Sequence, residues 1–163
     1  MDAGADLHCL VEIPKGSRNK YEWDDKLEAI KLERFLFSSV VYPTDYGFFP
    51  RTLGADGDPL DAMVCVTEPT FPGCVIGVRA IGLFTLRDDT GTDDKILCVP
   101  LSDPEWNHME QLEDVPEQLR DEIAHFFSMY RQPEGVEVTV EGWRSRDEAL
   151  AVVEESRKRF APG

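Results

Sequence analysis

The segment Val75-Ile-Gly-Val-Arg-Ala-Ile-Gly-Leu-Phe-Thr-Leu86 is rich in β-branched and apolar residues and contains two glycines, Gly77 and Gly82. Residues of these types fit the pleated surface of a half-buried strand, so the segment predicts one long strand. Glycine within a strand indicates a bulge or a sharp bend, and small closed barrels need such bends. We therefore expect this strand to belong to a small β-barrel.

Shorter strands are predicted on both sides of this segment, followed by two helices. The strands are predicted at 7–13, 20–23, 30–37, 62–66, 96–99 and 136–140. The stretch 40–52 contains two prolines and a glycine and predicts an ordered loop. One helix is expected from a cap at 114–117 to Tyr130, and a second after the capping box Ser145-Arg-Asp-Glu148. Many short strands before two late helices indicate an α+β fold, mainly β: a closed antiparallel barrel flanked by two helices of the C-terminal half.

The length and composition indicate how many domains the chain forms and which classes of partner it can bind. A length of 163 residues predicts a single domain, 1–163, and a 42% hydrophobic content is enough for a core. The formal net charge is −15, from 17 basic and 32 acidic residues. It argues against nucleic acid and against an anionic membrane as partners, since both attract basic surfaces. No apolar run reaches the length of a signal sequence or of a membrane span, so we expect a cytoplasmic protein.

The four cysteines indicate a reducing compartment rather than a disulfide framework. They form no C-x-x-C pair and no zinc-type pattern with histidine. Cys9, Cys65 and Cys98 lie in strand-like apolar runs and are expected in the core, whereas Cys74 follows Pro72-Gly73 and is expected to be more exposed.

Residues 56–61 read Asp-Gly-Asp-Pro-Leu-Asp and contain three carboxylates within one short stretch. Gly57 and Pro59 exclude a helix or a central strand there, so a stiff turn points several oxygen ligands at one place. Such ligands suit Mg²⁺ or Mn²⁺. The spacing differs from that of an EF-hand calcium loop, because Leu60 stands at the fifth position counted from Asp56. By itself the stretch is equally compatible with a solvated acidic turn.

Other charged and aromatic motifs occur along the chain in a fixed order. A second acidic turn runs over 88–95 and ends at Lys95. The other motifs are Glu12, Lys20-Tyr-Glu22, Arg34, Tyr42-Pro-Thr-Asp-Tyr-Gly47, and His125-Phe-Phe127 followed by Tyr130. In this order the set resembles the soluble family I inorganic pyrophosphatases of the short bacterial type, over nearly the whole chain from about Leu7.

The resemblance implies a fold, an activity and an assembly. The fold is a five-stranded OB-like β-barrel. The activity is Mg²⁺-dependent hydrolysis of inorganic pyrophosphate to two phosphates by direct attack of a metal-activated water, with several Mg²⁺ ions per site and Mn²⁺ or Zn²⁺ as substitutes. Divalent cations also explain how so acidic a protein takes a polyanionic substrate. The assembly is a homo-hexamer.

The resemblance also assigns roles to individual residues. The implied metal ligands are Glu12, Glu22 (through water), Asp56, Asp61, Asp88 and Asp93. The implied phosphate-binding residues are Lys20, Arg34, Tyr46, Lys95, Tyr130 and Arg131, with Tyr42 as a support for the acids. Asp61 would bridge two metals. Asp58 is our preferred acceptor of the water's proton, and Asp93 is the alternative, because a carboxylate on a metal is a poorer base. The family commonly has lysine at position 131, and Arg131 offers a planar fork instead of a point charge.

Several polar residues receive no site role. We expect Asp45, Asp89 and Asp94 to be surface charges and His125 to be a core or interface histidine. Two other functional classes are compatible with parts of the pattern. One is an oligonucleotide-binding OB module, which the net charge of −15 disfavours. The other is a divalent-cation buffer, which leaves the ordered basic residues unexplained.

Overall fold

A computed structural model describes residues 7–161 of the protein, so the two ends of the predicted domain 1–163 lie outside the described residues. Within this range the strands are β1 (Leu7–Ile13), β2 (Asn19–Asp24), β3 (Ala29–Phe35), β4 (Asp45–Phe48), β5 (Asp61–Val64), β6 (Val75–Asp88), β7 (Gly91–Pro100) and β8 (Thr139–Arg144). The α-helices are α1 (Glu117–Met129) and α2 (Arg146–Phe160), and 3₁₀ turns at Leu112–Asp114 and Gln132–Glu134 flank α1. No helix in this part of the chain has the length and apolar character needed to cross a membrane.

Five of the strands close into a ring in the order β1-β4-β5-β7-β6, and β6 pairs back with β1. The predicted five-stranded barrel and its two later helices are therefore confirmed. Four of the five pairings are antiparallel as predicted, and β5 pairs with β7 in parallel, with Asp61 opposite Lys95. Strand β8 extends the sheet beyond β6, and β2 pairs with β3 in a separate hairpin.

The long strand β6 bends as its glycines predict. Its register with β7 shifts between Ala80 and Gly82, which is the irregularity expected of a bulge. A Cβ atom at Gly82 would lie 2.9 Å from the Leu112 side chain, so this position also admits close packing from the first 3₁₀ turn. Beyond the bend β6 leaves β1 and pairs with β8, which is how one strand serves both the barrel and its extension.

The prediction that 40–52 is a loop is wrong for its centre, because β4 lies there and all four of its residues are buried. Gly47 was interpreted as a breaker of regular structure. It is instead required by the pairing of β4 with β1, since a Cβ atom at this position would lie 2.0 Å from the carbonyl oxygen of Leu10. The glycine therefore permits the close approach that brings Tyr46 into the barrel wall.

Two other boundaries differ from the sequence prediction. The acidic stretch 88–95 is the end of the β6–β7 hairpin, so Asp93 and Lys95 lie on a strand and only its first residues form a turn. The last strand begins at Thr139 instead of residue 136, because the 3₁₀ turn Gln132–Glu134 follows α1. The first difference fixes the direction of the Asp93 and Lys95 side chains, which the sequence assigns to the site.

The strands alternate between two apolar clusters. One cluster contains Met63 and Leu97 and packs against Phe126 and Phe127 of α1. The other contains residues such as Ala62 and packs against α2. Because successive residues of a strand point to opposite faces, the two helices cover opposite sides of the barrel wall.

All four cysteines are free, as predicted. Cys9, Cys65 and Cys98 are buried, and Cys74 is partly exposed. Burial raises the pKa of the Cys65 thiol to about 12, so it behaves as an apolar residue of the core.

Candidate active site

The acidic stretch 56–61 forms a tight turn between β4 and β5, as predicted. Gly57 adopts a φ of 88°, which favours glycine, and the amide of Asp58 donates to Oδ1 of Asp56 at 3.0 Å. The amide of Gly54 donates to the carbonyl oxygen of Asp58 at 2.6 Å and closes the turn. Asp56 and Asp61 thereby face a cavity of about 190 Å³ that Asp93 also lines.

Lys95 is the centre of this site and is almost completely buried, at 1% exposure. The parallel β5–β7 pairing sets it opposite Asp61. Its ammonium donates to Oδ2 of Asp61 at 3.1 Å, to Oδ2 of Asp93 at 2.9 Å and to the hydroxyl of Tyr46 at 2.5 Å. Tyr46 in turn donates to Oδ2 of Asp61 at 2.8 Å. The four side chains therefore form one hydrogen-bonded group in which Lys95 contacts each of the other three.

The two carboxylates of this group favour the positively charged form of Lys95. Burial lowers the pKa of Lys95, but Asp61 and Asp93 more than reverse this and raise it above its ordinary range. Burial raises the pKa of Asp61, with the attraction of Lys95 acting in the opposite direction and the repulsion of Asp93 adding to the rise. One lysine thus faces two carboxylates, and the acids carry more negative charge than it neutralises.

Two other acids, Asp56 and Glu12, also have raised pKa values. Burial raises the pKa of Asp56, and the neighbouring charges of Asp58 and Asp93 add to the rise. Burial also raises the pKa of Glu12 to about 7, although the amide of Trp23 donates to its Oε2 at 2.8 Å. A divalent cation would reverse each of these effects, and the donors are all hard oxygens of the kind that Mg²⁺ prefers.

The donor set therefore fits such an ion in chemistry and charge. Across residues 7–161, however, no three His, Cys, Asp or Glu side chains are close enough together to hold an ion in the present arrangement. One reason is visible at Asp61, whose Oδ2 already accepts hydrogen bonds from Lys95 and Tyr46.

The predicted phosphate-binding cations lie at the ends of neighbouring elements and face acidic partners. Arg131 follows α1, with Nη1 3.5 Å from Oδ2 of Asp88 and Nε 3.1 Å from Oε2 of Glu134. Glu134 also contacts Arg34 of β3. The Nε atom of Arg34 is buried and has no hydrogen-bond acceptor among the described residues. Glu134 was not predicted as a site residue, and no sequence motif marks it.

The β2–β3 hairpin carries the remaining charged candidates. Lys20 pairs with Glu33 across the hairpin, and Glu22 stands opposite Lys31. Asp88 accepts hydrogen bonds from the amide and the hydroxyl of Thr90, and these bonds lower the pKa of its carboxyl.

Aromatic rings form the wall behind these charges. Tyr42 is 1% exposed, and its ring centroid lies 4.5 Å from that of Phe126 and 5.6 Å from that of Tyr46. Tyr130 stacks on Phe126 at 5.5 Å. The three tyrosines are thus held by one helix face, and the position of Tyr42 agrees with a supporting role.

The structure corrects three residues that received no site role. Asp45, expected at the surface, is completely buried; it accepts hydrogen bonds from the Lys15 amide at 2.8 Å and the Thr70 hydroxyl at 2.6 Å. Asp94, also expected at the surface, is partly buried and accepts from the Thr85 hydroxyl at 2.7 Å. His125 is exposed, so the core interpretation is wrong.

Known proteins share this architecture and sequence. A family model described as inorganic pyrophosphatase matches residues 9–161. An inorganic pyrophosphatase of Methanosarcina acetivorans is 57% identical over 151 residues, covering 93% of this chain and 90% of the relative. One of Streptomyces coelicolor is 55% identical over 156 residues, covering 95% and 96%. The crystal structure of the Thermus thermophilus inorganic pyrophosphatase superposes with a TM-score of 0.91 at 45% identity, covering 94% of this chain and 90% of that one.

The closed barrel with its carboxylate-lined cavity and buried lysine is thus that of a hydrolase acting on phosphoric anhydrides. Within this class, the chain belongs to the inorganic pyrophosphatase family. The family predicted from the ordered motifs is confirmed.

Proposed function

We propose that this enzyme hydrolyses inorganic pyrophosphate to two phosphates with Mg²⁺ as its metal, by direct attack of water. The observation that carries the proposal is the group formed by Lys95, Asp61, Asp93 and Tyr46, in which two partly buried carboxylates face one buried cation. Such a site collects further positive charge, and that charge then attracts phosphate oxygens.

The acids that would hold the metal are Glu12, Glu22, Asp56, Asp61, Asp88 and Asp93. When bound, Mg²⁺ would lower the pKa of water and neutralise phosphate oxygens. Burial, with repulsion from neighbouring carboxylates, raises the pKa of both Asp56 and Asp61, and a bound cation would oppose this, which supports the assignment. Mn²⁺ and Zn²⁺ are proposed as substitutes on the same donors.

Asp58 is proposed as the acceptor of the attacking water's proton. Its backbone amide holds Asp56, and its own carboxylate stays on the exposed side of the turn. Asp93 is the weaker alternative, because its Oδ2 already accepts a hydrogen bond from Lys95. A positioned acceptor of this kind contributes typically ~10²–10⁴-fold to the rate.

The cations around the mouth of the site would hold the two phosphoryl groups. They are Lys20, Arg34, Lys95 and Arg131, with Tyr46 and Tyr130 as hydroxyl donors. Because pyrophosphate carries its charge on several oxygens, positioned cations and hydroxyls stabilise both the substrate and the separating phosphate. The substrate would displace Glu33 and Glu134, which contact these cations in its absence.

The chain is proposed to act in the cytoplasm as one domain that assembles into a homo-hexamer, without nucleic acid or membrane as a partner. Large apolar side chains at the surface support self-association, among them Phe37 at 82% and Phe71 at 63% exposure. The exposed His125 is proposed to lie at such an interface.

The deciding experiment measures phosphate release from pyrophosphate by the purified protein, with Mg²⁺ and with a chelator. Release that needs Mg²⁺ is expected. An oligonucleotide-binding module or a cation buffer would release no phosphate under either condition, and that result would overturn the proposal.

A further inference from the structure

A buried threonine bridges the two ends of the acidic loop. Residues 53–59 leave the barrel between β4 and β5, and Thr52, at 2% exposure, stands where the loop begins. Its hydroxyl donates to the carbonyl oxygen of Phe49 at 2.6 Å and accepts from the amide of Leu60 at 3.0 Å. The amide of Phe49 donates to the carbonyl oxygen of Leu60 at 3.0 Å beside it. One oxygen atom therefore connects the chain before the loop to the chain after it.

The place where the two ends of the loop meet, formed by Phe49, Thr52, Leu53 and Leu60, is called its neck. Helix α2 contacts this neck from outside. The amide of Leu53 donates to the carbonyl oxygen of Ser156 at 2.9 Å, and the Arg159 guanidinium donates to the carbonyl oxygen of Leu53 at 3.3 Å. The residue after Leu60 is Asp61, so the amide that Thr52 fixes is adjacent to a central carboxylate.

We infer that Thr52 is a positioning residue that keeps the two ends of the acidic loop together and so limits how far the carboxylates of Asp56 and Asp61 can separate when they bind a divalent cation. This inference rests on the proposed function for the identity of the metal ligands. Like charges on one short loop repel one another, and the hydrogen bonds within the turn and at Thr52 oppose their separation. Mg²⁺ demands near-octahedral geometry, and partners that orient ligands contribute strongly to metal affinity.

The chemistry of position 52 can be varied in small steps. Serine keeps the hydroxyl and its two hydrogen bonds. Valine keeps the shape of threonine but leaves the buried amide of Leu60 without that acceptor. Cysteine has nearly the size of serine and is a weak donor and acceptor. Valine therefore tests the hydrogen bonds at nearly constant shape, and the comparison of serine with cysteine tests them at nearly constant size.

The test measures Mn²⁺ binding to the substrate-free protein by electron paramagnetic resonance, so it does not depend on turnover. Thr52→Val is expected to lower Mn²⁺ affinity about tenfold, the lower end of the range for partners that orient ligands. Thr52→Ser should bind like the parent, and Thr52→Cys should fall between them. In the same samples, amide hydrogen exchange at Leu60 should accelerate in the order Ser, Cys, Val.

Ser156→Ala is the matched control. It removes another buried hydroxyl, which donates to the Val153 carbonyl oxygen at 2.7 Å within α2, and it leaves the neck bonds in place. Its Mn²⁺ affinity should equal that of the parent.

Parent-like Mn²⁺ affinity in Thr52→Val would overturn the inference, and so would an equal loss in Ser156→Ala. If Thr52→Val does not fold, equal affinity in Thr52→Ser and Thr52→Cys would overturn it. A parent protein that binds Mn²⁺ but releases no phosphate from pyrophosphate would contradict the proposed function and leave the positioning role supported by its own binding data.

Discussion

The ammonium of Lys95 lies 3.1 Å from Oδ2 of Asp61, on the neighbouring parallel strand and directly opposite it in register. Lys95 is 1% exposed, Asp61 is partly buried, and Tyr46 contacts both members of the pair. Hence the same lysine that would hold a phosphate oxygen also supports the acidic cluster in the absence of substrate.

Lys95→Met should destabilise the fold and abolish hydrolysis. Removing one partner of a buried ion pair leaves the other charges uncompensated, at a cost of about 3 kcal/mol in the free energy of unfolding. Urea denaturation measures the loss, and saturating Mg²⁺ should recover part of it because a bound cation supplies the missing charge. Lys158→Met, at an exposed lysine of α2, serves as the control and should unfold like the parent. An unchanged denaturation midpoint in Lys95→Met would contradict the prediction.

Asp58→Asn and Asp61→Asn should separate proton transfer from metal binding. Asp58 is exposed at the turn, so its amide variant should lose turnover, by ~10²–10⁴-fold, and keep metal affinity. Asp61 lies in the buried group with Lys95, so its variant should lose both. Steady-state kinetics with a Mg²⁺ titration, together with Mn²⁺ binding, distinguishes the two results. Equal losses of metal affinity would refute this division of roles.

Arg131→Lys should remain active, with a modest change in KM. Arg131→Ala should lose turnover and substrate affinity together, with a lower kcat and a higher KM, since a cation on the phosphate acts in both the ground state and the transition state. Arg131 reaches Asp88 and Glu134 in the free protein, so it is already held near the site. Initial rates over a wide range of pyrophosphate concentration provide the measurement. If Arg131→Ala matched the parent throughout, residue 131 would have no part in binding phosphate.

Glu134→Gln should lower KM several-fold and leave kcat nearly unchanged. Its carboxylate contacts both Arg34 and Arg131, so it competes with phosphate oxygens for the same cations. Removing the charge weakens the competitor, and charged hydrogen bonds are roughly twice as strong as neutral ones. Glu137→Gln changes the same net charge in the same segment and controls for the general effect of a less acidic surface. A KM shift of equal size in both variants would show that Glu134 acts through net charge alone.

Features that depend on neighbouring residues could be predicted from the sequence. The capping box at the start of α2 forms as expected: Ser145 accepts from the Glu148 amide at 3.3 Å, and Glu148 accepts from the Ser145 amide at 3.3 Å. The bend of β6 at Gly82 also follows from local chemistry. The acidic turn at 56–61 is local as well, because its proline and glycine set the backbone within a few residues.

Features that depend on distant partners could not be predicted in this way. The burial of Asp45 requires donors at Lys15 and Thr70, which are 30 and 25 residues away along the chain. Glu134 contacts Arg34, which is 100 residues away along the chain. The hydroxyl of Thr52 accepts a hydrogen bond from the amide of Leu60, and no spacing in the sequence predicts that contact.

The parallel pairing of β5 with β7 makes the candidate site depend on a contact between distant parts of the chain. Parallel neighbours cannot be joined by a tight hairpin, so the chain must first run through the whole of β6 before Lys95 meets Asp61. Such a contact is slow to form, because closing the intervening loop costs entropy before the pairing repays it. Recovery of activity during refolding therefore reports the formation of this strand pairing, whereas probes of the apolar clusters report only their collapse.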